Sequence, residues 1–157
     1  MKNNKGFTLI ELLAVIVVLA IVMVLATTTV LPYMSDARQN AFKIEASNVI
    51  SAVDNAKDLY NIGKIKMNSN AKISCATATK ICFNVDELIN LGIYEGDKNS
   101  YDGKITVANY NTPTPTYELY LKKNDEFKIL GGTLKDYTNA SLSTGDWAAS
   151  YTECSCS

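Results

Sequence analysis

From Leu12 to Ser35 the chain carries 24 residues without a formal charge, and the first fifteen of them, Leu12 to Ala26, are all apolar. As an α-helix rising ~1.5 Å per residue this run extends roughly 36 Å, enough to cross a hydrocarbon core of ~30 Å. Lys2 and Lys5 precede it. The positive-inside bias therefore places the N-terminus in the cytoplasm and everything beyond Ser35 on the far side of the membrane. Glu11, directly at the mouth of the run, is the anomaly. A charge in hydrocarbon costs ~2.5 to 3.5 kcal/mol on insertion scales, so this carboxylate needs a cation or a place near the headgroups. The cations within reach are Lys5 or a new α-amino group made by cleavage.

Gly6-Phe7-Thr8-Leu9-Ile10-Glu11 followed by this apolar run resembles the class III signal of type IV prepilins and pseudopilins. The resemblance implies that a membrane peptidase cuts between Gly6 and Phe7 and methylates the new Phe7 amine. It also implies that Glu11, four residues beyond the cut, neutralises the amine of a neighbouring subunit as a filament assembles, which supplies the missing cation. Residues 1–6 are then a leader, 7–35 a transmembrane stem that becomes the filament core, and 36–157 an extracytoplasmic head that includes the rest of the helix. The expected partners are further pilin copies in a helical homo-oligomer, a prepilin peptidase, an assembly ATPase, a platform protein and the membrane. The expected location is the cytoplasmic membrane as a single-pass precursor, then a pilus outside the cell serving adhesion, surface motility or biofilm formation. A pseudopilin of a secretion or DNA-uptake machine and an unprocessed anchored binding domain share most of these features. An ordinary secretory signal, with Val24-Leu25-Ala26 near a cut, leaves Glu11 without a role. A lipoprotein lacks the Cys it would need after the run.

Beyond the anchor, Phe42, Ala46, Val49, Val53, Ala56 and Tyr60 recur at steps of four and three, one face of an amphipathic helix. The pattern predicts one helix from near Phe7 to Ile62, ended by Gly63 in a left-handed cap. Pro32 removes a backbone hydrogen bond and Thr27, Thr28 and Thr29 are weak helix formers, so a kink or local melting is expected there. Lys64 to Ile81 reads as a loop. Asn84 to Glu87 is a capping-box-like start for a short helix over Val85 to Leu91, stopped by Gly92. Lys104 to Tyr110, Tyr117 to Lys122 and Glu126 to Leu130 read as strands, the last two joined by a Lys123-Asn124-Asp125 turn and closed by Gly131-Gly132. A long helix packed on a small antiparallel sheet is an α+β fold, which is also what the resemblance implies.

The cysteines form two close pairs, Cys75 with Cys82 and Cys154 with Cys156, on the extracytoplasmic side. Disulfides are the leading expectation there. Cross-pairing is favoured, because a Cys154–Cys156 bond would enclose a single residue. A zinc site of Cys75, Cys82, Cys154 and Cys156 is the rival. The chain has no His, which removes the commonest general base, and adjacent Asp86 and Glu87 do not face each other on a helix. Neither an enzyme nor a cofactor is expected. The formal charge of −1 becomes −3 once Lys2 and Lys5 leave with the leader, which argues against a nucleic-acid-coating surface. Lys122, Lys123 and Lys128 read as a guarded hairpin edge. Thr112-Pro-Thr-Pro-Thr116 is a stiff surface loop, and Asn139-Ala140-Ser141 matches the glycosylation acceptor pattern.

Overall fold

The computed structural model describes residues 7–66, 74–77, 79–152 and 154. Its longest element, α1, is a single helix over Leu9–Asn61. At its C-terminus Gly63, with φ +73°, donates to the Tyr60 carbonyl at 2.9 Å and Lys64 donates to Leu59 at 2.9 Å. This is the doubly bonded left-handed cap that glycine permits without a Cβ clash. The helix continues through Pro32, so the single chain shows no melting at Thr27 to Pro32. Thr27 Oγ donates to the Met23 and Val24 carbonyls at 3.0 Å each, and Thr28 Oγ donates to Leu25 at 3.0 Å. Back-bonding of this kind satisfies a hydroxyl within the helix itself.

The chain divides into two units, one through Arg38 and the other from Gln39 onward. In the first, the 18-residue apolar window of α1 has none of its residues buried within the chain, and the helix is long and apolar enough to cross a membrane. The second holds the whole buried core.

That core forms where the amphipathic half of α1 meets a five-stranded antiparallel sheet ordered β1-β2-β3-β4-β5. The strands are β1 (Ser74–Ala76), β2 (Lys80–Asn84), β3 (Tyr101–Ala108), β4 (Thr116–Lys123) and β5 (Phe127–Gly132). Phe42, Ala46, Val49, Val53 and Ala56 of the expected stripe are fully buried, and Tyr60 is partly buried against the same core. They meet Ile81, Phe83, Ile105, Val107, Leu119, Leu121 and Ile129 in one cluster. Strands β3 and β4 alternate buried with more exposed positions, as a sheet with one face on a helix requires.

The structure corrects the reading of Lys64 to Ile81 as loop. It contains β1 and the start of β2, with Cys75 opposite Cys82 in the ladder. The short helix α2 runs over Val85–Asn90, and the side chain of its N-cap residue Asn84 makes no capping bond. Glu126 lies in the β4–β5 turn rather than in the strand, with Asn124 at φ 49° and Asp125 at φ 57°, the φ signs of a type I′ hairpin turn. Gly131 and Gly132 belong to β5, where the register against β4 slips between Leu119 and Leu121.

Polar contacts tie the helix to the sheet. Lys123 Nζ lies 2.6 and 2.8 Å from the Glu45 carboxylate oxygens and 5.1 Å from the centre of the Tyr101 ring. Tyr117 donates to Asp54 at 2.5 Å, and Lys57 and Lys135 stand 3.2 and 3.3 Å from the same carboxylate. Burial alone would raise the Asp54 pKa. The Tyr117 hydroxyl and the two lysines outweigh it and hold this carboxyl below its ordinary value.

Candidate processing and assembly site

Phe7 is exposed just ahead of α1, and Gly6 lies outside the described residues. Thr8 is the N-cap of α1 and Glu11 its third residue. Thr8 N and Oγ donate to one Glu11 carboxylate oxygen at 2.9 and 2.8 Å, while Glu11 N donates to Thr8 Oγ at 3.3 Å. These reciprocal bonds make a capping box. Thr8 is the residue that the sequence reading passed over, although Thr-x-x-Glu ahead of an apolar run is a recognisable signal for it. In the single chain the Glu11 carboxylate is thus hydrogen-bonded, and among the described residues no cation pairs with it. Leu9 through Leu25 then present apolar side chains that are exposed all round the helix.

The cysteines serve the other end of the chain. Cys82 is bonded to Cys154, 72 residues away, with the Cα atoms 5.8 Å apart. This is one leg of the expected cross-pairing, and Cys156 lies outside the described residues. The same bond bears on the four-thiolate zinc alternative. Zinc requires thiolates, and two of the four sulfurs are here joined to each other.

The bond fastens a strap across the sheet face opposite α1. Ser143 N donates to Lys128 O on β5 at 2.9 Å. Trp147, in the one-turn helix α3 (Trp147–Ser150), lies under Lys122 of β4 at 5.3 Å. Tyr151 stacks on Trp147 at 4.5 Å and meets Tyr120 of β4 edge-on at 6.3 Å. Lys104 of β3 donates to Thr152 at 3.2 Å, and Cys154 reaches β2. The tail thus touches β5, β4, β3 and β2 in turn. Lys122 is also paired with Asp125 at 2.8 Å and Lys123 with Glu45, so two of the three hairpin lysines are neutralised.

Residues 1–27 match the family model of the prokaryotic N-terminal methylation motif. They are a class III prepilin signal. The match takes in the Thr8–Glu11 capping box and the apolar run from Leu12 to Ala26, and it supports a type IV pilin or pseudopilin-like protein. No curated protein and no solved structure matches the chain. The prepilin signal implies processing by a prepilin peptidase and assembly into pilus-type filaments, and with the apolar helix it fits a membrane-anchored precursor. The α+β head, a long helix on an antiparallel sheet, is consistent with the pilin fold.

Proposed function

We propose that this chain is a structural pilin. A prepilin peptidase hydrolyses the Gly6–Phe7 bond and methylates the new amine. Residues 7–35 then leave the membrane to pack among neighbouring stems, and residues 36–157 form the surface of a pilus outside the cell. The observation that carries this reading is the prepilin signal leading directly into a membrane-length helix whose apolar side chains, among the described residues, are exposed in the single chain. Exposed apolar surface of this extent needs a bilayer or other copies of itself.

Glu11 changes partners during assembly. Its capping bonds to Thr8 are charged on the acceptor side alone, and an ammonium group at the same carboxylate adds a bond charged on both sides. A Glu11 paired with the Phe7 amine of a neighbour sets the axial register of the filament, with an assembly ATPase and a platform protein driving extrusion. Cys75 and Cys156 form the second staple, and melting at Thr27 to Pro32 belongs to the polymer.

Mass spectrometry of filaments sheared from cells, compared with the membrane fraction, tests the reading. A chain beginning at methylated Phe7 in the sheared material is the expected result. A chain found only in membranes and still beginning at Met1 would leave an anchored binding domain in its place.

A further inference from the structure

Most lysines on the core-facing half of α1 and on the β4–β5 hairpin have a carboxylate: Lys57 has Asp54, Lys122 has Asp125 and Lys123 has Glu45. Lys43 and Lys128 are different. Both are half-buried, and among the described residues neither lies within ion-pair distance of an acid. Both line the same open cleft, of ≈ 440 Å³, a volume within the ~300 to 1,000 Å³ of small-molecule sites. Glu126 stands in the same lining, which leaves a surplus of one positive charge. One wall is fixed to β5 by the bonds of Ser143 to Lys128 O and from Leu130 N, at 2.9 and 3.0 Å. The ring of Phe127 is held from behind by Phe42, 5.7 Å away.

We propose that this cleft binds an acidic saccharide, its carboxylate on Lys43 and Lys128, its hydroxyls on Gln39, Ser141 and Thr144, and its apolar ring face on Phe127 and Leu142. The chemistry of the wall selects the class. Two lysines facing one carboxylate, Glu126, in the same lining leave a net positive charge that calls for an anion. A bare phosphate or sulfate would leave Phe127 and Leu142 unused, and a neutral sugar would leave the lysines unpaired. A uronic acid carries a carboxylate, a ring of hydroxyls and a face of C–H groups in one residue. The site lies wholly within the unit from Gln39 onward.

The test uses the full chain in a sugar-free zwitterionic detergent, titrated with digalacturonate, its methyl ester and acetate while calorimetry or amide shifts are followed. Saturable binding of the diuronate is expected, weakened at least tenfold in the ester, absent for acetate, and weakened at least tenfold by Lys43→Gln with Lys128→Gln. Lys98→Gln, an exposed lysine outside the cleft, leaves it unchanged. No saturable binding, equal binding of the ester, or competition by acetate at equal concentration would each overturn the proposal, the last by showing an anion site with no preference for a sugar.

Discussion

At the scale of single residues, Glu11 holds two positions in one argument. It caps its own helix through Thr8, and in the proposed filament it neutralises a neighbour's amine. The two roles separate by substitution, because glutamine serves at the third position of a capping box but carries no charge. Glu11→Gln should therefore keep the helix start and membrane insertion yet cut filament yield at least tenfold, as Glu11→Ala should. Wild-type filament yield from the glutamine variant, counted by electron microscopy, would assign Glu11 to the cap alone. Asp54 offers a second test, within the head. Its pKa is depressed in the folded chain, so its contribution to stability is present above the ordinary aspartate value of about 3.9 and is lost as pH falls through the folded value. Tyr117→Phe removes the 2.5 Å bond to this charged acceptor and should cost about 1.5–3 kcal/mol at neutral pH. Asp54→Asn should flatten the acid limb of a stability–pH curve below about pH 4. An unchanged acid limb would mean that the carboxylate is no better held in the folded chain than in the unfolded one.

At the scale of elements, the strap depends on one covalent bond. Cys154→Ser opens a loop spanning 72 residues and should cost about 2–4 kcal/mol. Amide exchange should then rise first over Trp147 to Thr152, whose contacts to β3 and β4 include ring packing and the Lys104–Thr152 hydrogen bond between exposed side chains, and later in β3 and β4. Uniform loss of protection across the sheet would show the strap to be part of the core. The same element explains what the sequence left hidden. β3 and β4 were legible because their outer positions alternate with buried ones. In β2, Ile81, Cys82 and Phe83 are all buried, because the strap covers the face where Cys82 stands, and period-two alternation disappears. β1, at three residues, is too short to show a period at all. The amphipathic stripe of α1 needed no distant partner to be read, whereas the strap is closed by a bond between residues 72 apart and the cleft joins α1 to the distant β5 and the segment after it. Spacing along the chain cannot signal such an arrangement. Asn84 marks the reverse case, in which a start signal placed α2 correctly although its side chain makes no capping bond.

At the scale of the whole molecule, the division of labour follows from where burial is found. Every described residue through Arg38 whose burial is given is exposed, and the core cluster begins at Phe42. Removing residues 1–38 therefore strips no buried side chain from the head. What it does remove is the capped first turn of α1, and the new terminus at Gln39 frays by a few residues before Phe42 and Ala46 lock the helix onto the sheet. A chain starting at Gln39 should consequently fold as a water-soluble monomer, keep the Cys82–Cys154 bond, and melt within a few degrees of the full chain in detergent, since a loss of about 1 kcal/mol shifts the midpoint of a domain this size by roughly 4 °C. It should also form no filaments when mixed with cells that assemble the full chain, because the apolar surface that drives association is gone. Scanning calorimetry and sedimentation check both halves. A truncated head that aggregates or melts far lower would mean that the stem segment stabilises the fold through contacts beyond its own helix, and the separation of anchor from head would fail with it.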